Sequence, residues 1–256
     1  METVIFGLPL ALFVAAIIVS VFAGFVKGAV GFAMPMVMIS GFSMFLPAQT
    51  ALAALIFATV LTNVAQAFRQ GPRAAIDSLV KYKRLIGVLV VFIFISAPLV
   101  TILPAWLLYL LLGVPILLFA VTQLMGRQLT LSAERRNRAE VLMGAVAGFF
   151  GGISGVWGPP IVAYLLSFNT EKAEMVRVQG VVFLIGGVVL LGSHLTSGVL
   201  NAQTIPLSAA LIIPASVGMW LGFRVQDRLD PVKFRKATLA ILAIAALNLV
   251  RKGLMG

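Results

Sequence analysis

The sequence predicts an all-α polytopic membrane protein built as two inverted repeats, each a broken, glycine-rich helical hairpin followed by three transmembrane helices. Three observations carry this reading. The chain is 61% hydrophobic and only 11% charged, with a mean hydropathy of +1.10, whereas soluble domains are nearer half apolar and a quarter charged. One glycine pattern occurs twice. The basic residues gather in clusters that separate apolar tracts of about 20 residues, the length that crosses a hydrocarbon core. A membrane β-barrel would show short alternating segments instead.

The first copy of the pattern is Ala23-Gly24-Phe25-Val26-Lys27-Gly28-Ala29-Val30-Gly31, with Pro35 four positions on. The second is Ala147-Gly148-Phe149-Phe150-Gly151-Gly152-Ile153-Ser154-Gly155, with Pro159 four positions on. Six positions are identical at a constant offset of 124 residues. The chain therefore divides into a repeat over 1–126 and a repeat over 127–256, together one transmembrane domain. Glycine permits left-handed backbone and close approach, and proline removes a donor. Gly152, Gly155, Gly158, Pro159 and Pro160 cannot continue a regular helix. Backbone broken at membrane depth is tolerated only inside protein or along a wet cavity. Its ends present free N–H groups and the positive ends of half-helix dipoles, which attract anions. Such broken helices, paired across a repeat interface, are where secondary transporters hold their cargo. Glycine at intervals of three or four also lets membrane helices touch. The repetition with a matched proline favours a site, with both hairpins aiming their ends at one mid-membrane point.

The charges order the elements. Fourteen of the nineteen Lys and Arg residues lie in three clusters: Arg69, Arg73, Lys81, Lys83 and Arg84; Arg127, Arg135, Arg136 and Arg138; Arg224, Arg228, Lys233, Arg235 and Lys236. The net charge of +11 is thus a positive-inside bias rather than a nucleic-acid footprint, and loops 69–84, 127–138 and 224–236 are expected in the cytoplasm. The first hairpin, 4–46, enters and leaves on the outside. Helix 51–68 runs inward to Arg69, 86–103 runs out and 105–125 returns. The second hairpin, 140–168, starts inside and must end inside, before Arg177. Helices 178–194, 205–223 and 237–250 follow. Both termini are expected outside, although Arg251 and Lys252 there oppose the bias. The N-terminus lacks a basic n-region and a cleavage site, so the first apolar tract is expected to be retained. The odd number of direction changes inverts the second half relative to the first.

Cysteine is absent, which excludes disulfides, thiol catalysis and Cys-ligated metals. There is one histidine, His194. The acids Glu2, Asp77, Glu134, Glu140, Glu171, Glu174, Asp227 and Asp230 all read as terminal or in loops. No metal, no cofactor and no intramembrane enzyme is expected, nor a buried carboxylate relay. Coupling to a proton or ion would need His194, loop acids or the substrate's own protonation. Duplication within one chain suits a transporter better than an oligomeric channel with re-entrant loops.

With Gly24, Gly28, Gly31 and Pro35, then Gly148, Gly152, Gly155 and Pro159, the chain resembles the TauE/SafE family of membrane transporters, also called sulfite exporters. That family is marked by two such glycine-rich segments, one opening each half, and the resemblance covers nearly the whole chain. It implies movement of small sulfur-containing anions, such as sulfite, sulfoacetate or other organosulfonates, across the cytoplasmic (inner) membrane by alternating access. Members often carry a denser glycine run after the third glycine. Here the sequences are Phe32-Ala33-Met34 and Val156-Trp157-Gly158, which leaves the anion open. An anion channel and a carrier of non-sulfur organic anions are the alternatives.

The candidate substrate-binding residues are Lys27, Gly28, Gly31 and Pro35 in the first motif and Gly152, Ser154, Gly155, Trp157, Gly158 and Pro159 in the second. Lys27 is the sole charge between Glu2 and Arg69; an intramembrane cation suits an anionic substrate, or snorkels to the nearer face. Thr59, Asn63 and Gln66 share one helix face at i, i+4, i+7 and either hold oxygens of a ligand or glue helices. Arg177 and Gln179 are candidates for an entrance or gate. His194 reads as a helix-end hydrogen-bonding residue.

Overall fold

The computed structural model describes residues 4–126, 133–225 and 230–255. Glu2, Arg127, Asp227 and Arg228 lie outside the described residues. Among the described residues a two-residue β-ladder, Val4–Ile5 against Leu8–Pro9, precedes thirteen α-helices. They are α1 Leu10–Val30, α2 Met34–Phe42, α3 Ala48–Ala67, α4 Pro72–Lys81, α5 Lys83–Ser96, α6 Leu99–Ile102 and α7 Ala105–Leu124, then α8 Arg136–Ser154, α9 Gly158–Ser167, α10 Lys172–Thr196, α11 Ile205–Ala210, α12 Ile212–Val225 and α13 Pro231–Met255. Six stretches of the described residues are long and apolar enough to cross a membrane, beginning at Leu10, Ala48, Lys83, Ala105, Ala173 and Ile205. The chain is an all-α polytopic membrane protein.

Local sequence explains where helices stop. Gly31 and Gly155 both adopt left-handed backbone, with φ of 85° and 69°, and their N–H groups return to the carbonyls of Lys27 and Gly151. That is the usual glycine termination of a helix. Pro35 and Pro159 then sit in the first turns of α2 and α9, where the missing N–H removes no helical bond. The two shared outer features of the motif therefore mean stop and restart.

The inner glycines mean contact. A Cβ at Gly24 would fall 2.0 Å from the Ala215 carbonyl oxygen, and one at Gly28 would fall 2.2 Å from that of Met219. Gly218 and Gly222 of α12 meet Val21 and Phe25 of α1 in the same way. In the second half Gly144, Gly148 and Gly152 of α8 lie against the α5 backbone at Leu85, Leu89 and Ile93. Residue numbers rise together along both pairs, so α1 runs parallel to α12, and α8 parallel to α5. Two antiparallel pairs complete the set. α3 crosses α10, with Gly180 on Ala67 and Gly187 on Val60, and α7 lies beside α13, with Gly113 on Leu249. Small residues at these crossings let backbones approach where water cannot drive association.

The basic segment 69–84 is a helix over much of its length rather than a loop. In α4, Ala75 and Ser78 face inward while Ile76, Leu79 and Val80 are exposed. The sequence Gly71-Pro72 starts it, since proline is preorganised for a first helical position. α3 is the most enclosed apolar span: Ala51 through Ile56 are all buried.

Candidate functional site

The break between α1 and α2 gathers a polar cluster. Lys27 lies one turn before the end of α1 and is only 2% exposed. Its ammonium donates to Thr62 Oγ1 at 3.0 Å and to Asn63 Oδ1, both on α3. Thr62 Oγ1 also donates to the Ala58 carbonyl at 2.7 Å. Gln66, one further turn along, donates through Nε2 to the Gly31 carbonyl at 2.9 Å and to the Val176 carbonyl of α10 at 3.0 Å. It thereby satisfies a helix-terminal carbonyl that the α1 break leaves free. Met34, the first residue of α2, places its sulfur 3.7 Å from Thr62 Oγ1. Ala33 between the helices takes left-handed backbone, with φ of 77°.

Two features make this cluster chemically unusual. Both hydrogen-bond partners of Lys27 are neutral, and it belongs to no ion pair among the described residues. Around it, Asn63 Nδ2, Gln66 Oε1 and Thr59 Oγ1 are buried with no hydrogen-bond partner among the described residues, and the same is true of Gln179 Oε1 on α10. Buried charges are ordinarily paired, and buried polar atoms ordinarily bonded. The cluster offers one cation, donors and acceptors with spare capacity.

The break between α8 and α9 is built differently. Ser154 turns its hydroxyl to the Phe150 carbonyl at 2.5 Å and accepts from the Val156 N–H at 3.0 Å, so it caps the break locally. His194 Nε2 lies 3.2 Å from the Gly152 carbonyl and Nδ1 lies 3.3 Å from Ser197 Oγ. A carbonyl can only accept, so this contact puts the ring proton on Nε2. Trp157 is buried beside Phe183, with ring centroids 6.1 Å apart, and its Nε1 has no partner among the described residues. Gly155 packs on Leu55 of α3 and Leu190 of α10, and Gly158 faces Phe183.

The glycine ends of the two breaks meet α3 and α10 at different heights. The first touches α3 at Gln66 and α10 at Val176, the second α3 at Leu55 and α10 at Leu190. At the helical rise these contacts are about 17 Å apart along α3 and about 21 Å apart along α10. The restart at Trp157 and Gly158 lies back along α10, against Phe183 and Gly186.

Of the residues singled out in the sequence, Lys27, Gly31, Asn63 and Gln66 come together at the first break, with Pro35 in the next turn. Gly152, Ser154, Gly155, Trp157, Gly158 and Pro159 form the second. Gly28 and Gly152 lie against neighbouring backbones. Gln179 is buried next to the Gly180 contact. Arg177 donates to Ser78 Oγ at 2.8 Å and to Gln70 Oε1, tying α10 to α4.

Several participants lay outside the sequence reading. Glu140 is no loop acid: it lies in α8, buried, accepting from Arg136 Nε at 3.1 Å and from the Tyr164 hydroxyl at 3.0 Å. The i, i+4 spacing of Arg136 and Glu140 was the available signal. Glu174 likewise lies in α10, where Lys81 pairs with it at 2.5 Å and Tyr82 donates to it at 2.9 Å. Burial, then the hydrogen bond to Glu174 and its charge, pushes the Tyr82 phenol up to about 12, so it stays a donor at neutral pH. These bonds latch α4 and the start of α5 onto α10.

Six apolar spans, with helices broken inside apolar tracts and a buried cation at one break, mark a polytopic membrane protein. The chain belongs to the sulfite exporter TauE/SafE family, whose model matches residues 16–249. It is thus a membrane transporter of a family described by the export of a sulfur anion. No curated protein and no solved structure matches the chain.

Proposed function

We propose that the protein is a secondary transporter of a small sulfur-containing anion, sulfite or an organosulfonate, and that the cluster at the α1–α2 break is where the anion binds. The observation that carries this is Lys27: a buried ammonium with only neutral partners, beside side-chain amide and hydroxyl atoms that still have bonding capacity. An isolated buried charge is expensive, and an arriving anion offsets that cost. Oxygens of a sulfur oxyanion would accept from Lys27 Nζ and Asn63 Nδ2. Arg177, on α10 one residue beyond Val176, stands at the nearer mouth and attracts anions towards it.

The helix pairing supports two inverted repeats, 1–126 and 127–256. α1 with α12 and α8 with α5 are matched parallel pairs, while α3–α10 and α7–α13 join equivalent helices of the two halves. Such repeats rock against each other in alternating-access transporters. With basic segments 69–84, 127–138 and 224–236 in the cytoplasm, the α1–α2 break lies near the inner face of the cytoplasmic membrane. Both termini then lie outside.

The test is thermal stabilisation of the purified protein by sulfite, sulfate, thiosulfate, taurine, sulfoacetate and non-sulfur anions. A ligand of the folded form raises the melting temperature as occupancy grows. The expected result is a saturable rise with a sulfur oxyanion that Lys27→Met abolishes and Lys27→Arg partly retains. A rise of equal size in Lys27→Met removes Lys27 from the site, and no rise with any sulfur anion overturns the substrate class. Saturable flux with counterflow in proteoliposomes separates a transporter from a channel.

A further inference from the structure

Two hollows on the membrane-facing side of α8 meet at one residue. The first has a volume of about 590 Å³ and lies between the starts of α5 and α8, lined by Arg84, Asn137, Arg138 and Val141. The second, about 400 Å³, is an apolar groove between α7, α8 and α9, lined by residues including Leu118, Leu142, Val146, Phe150 and Ala163. Leu142 lines both. Val141 and Leu142 of α8 and Leu118 of the apolar span α7 are 46%, 59% and 60% exposed, an apolar opening suited to hydrocarbon and not to water. Arg84 and Arg138 are both exposed and belong to no ion pair among the described residues. The charged chain neighbours Lys83 and Arg135 add positive charge; the nearest acid in sequence, Glu140, is buried and taken by Arg136 and Tyr164.

We infer that this composite surface is a binding site for an anionic phospholipid, with its phosphate on Arg84 and Arg138 and one acyl chain in the α7–α8–α9 groove. The occupant follows from the order of chemistry along α8. Basic groups stand where the helix starts, and the groove continues from Leu142 to Phe150, about 12 Å at the helical rise. That fits within one leaflet of a core about 30 Å thick. Basic pockets at the ends of membrane helices collect anionic headgroups, and no soluble anion would use the apolar half. The groove ends on Ser154, Pro159 and Pro160, so the chain's far end rests on the α8–α9 break. A bound lipid therefore wedges the second broken hairpin against α7. The inference needs only the helices in a bilayer and is independent of the substrate's identity.

The experiment measures binding to the delipidated full chain in detergent, by native mass spectrometry and melting temperature, with dioleoyl phosphatidylglycerol, dioleoyl phosphatidylcholine, dihexanoyl phosphatidylglycerol and glycerol 3-phosphate as probes. The expected result is retention and stabilisation by the long-chain anionic lipid alone. The double variant Arg84→Gln/Arg138→Gln should lose about tenfold or more of that preference, since each basic residue at a membrane surface contributes about fivefold. Arg73→Gln/Lys236→Gln, which removes the same charge elsewhere, should keep it. Val114→Trp and Ala163→Phe fill the groove from different helices, and each should weaken long-chain lipid binding. The inference fails if phosphatidylcholine binds equally well, if the Arg84/Arg138 variant keeps the preference while remaining folded, or if glycerol 3-phosphate alone reproduces the shift.

Discussion

The same nine-residue pattern builds a cationic pocket at the first helix break and an aromatic plug at the second. Motif position 27 is lysine and its counterpart at 151 is glycine; position 33 is alanine and its counterpart at 157 is tryptophan. The two exchanges belong together. A Cβ at Gly151 would stand 2.7 Å from the Trp157 ring, so the indole occupies the space into which a side chain at 151 would grow. At the first break the restart residue is only Ala33, and Lys27 is free to reach α3. Each break also frees a helix-terminal carbonyl, taken by Gln66 in one case and His194 in the other. The shared glycines and prolines set the backbone; the residues between them set the chemistry.

That contrast can be broken most forcefully at the aromatic plug. Trp157→Ala should cost about 3–5 kcal/mol by leaving a large cavity, read as a collapse of melting temperature or folded yield. Lys27→Met should cost nothing or stabilise, because replacing an unpaired buried charge by an apolar side chain removes its desolvation penalty. If Lys27→Met unfolds the protein, the lysine is structural. Next in size is the glycine frame. Gly24→Ala should cost up to about 3 kcal/mol, since its Cβ would meet fixed backbone, whereas Gly158→Ala, whose nearest neighbour is 3.7 Å away, should change stability by about 0.5 kcal/mol or less. Equal effects would contradict the division into contact and restart glycines.

The two carbonyl caps come third. Gln66→Ala and His194→Ala should each cost about 1–3 kcal/mol by leaving a buried acceptor unbonded. Proteoliposome flux should separate them, with Gln66→Ala weakening anion affinity and His194→Ala leaving it intact. The smallest effect is a gain: Ala33→Gly should stabilise by about 1 kcal/mol, because left-handed backbone is costly for any residue with a Cβ. A loss on that substitution would show that the first break needs the alanine methyl more than it is hurt by the strain.

Composition and charge clustering made the membrane class readable, because crossing a bilayer imposes a length and a polarity on every span. The duplicated motif made the two breaks readable, because glycine and proline act on their own backbone. Lys27, Asn63 and Gln66 could be singled out since polar groups in apolar tracts are conspicuous. Glu140 was missed: a residue beside a basic cluster looks solvated until Tyr164 closes over it. α4 was missed because its polar face resembles a loop in composition.

What the sequence by itself determined, then, is where helices run, stop and restart, since these follow from local propensity and hydropathy. What only the tertiary structure decided is which residues meet. The pairing of α3 with α10 in opposite directions sets the glycine ends of the two breaks about 17 Å apart along α3, a consequence of side chains packing between segments more than 100 positions apart in the chain. The same packing decides that Trp157 takes the space of a side chain at 151, and that a lysine in a hydrophobic tract ends beside an asparagine instead of a lipid headgroup. Contacts of that kind depend on how helices cross, and no local pattern encodes a crossing.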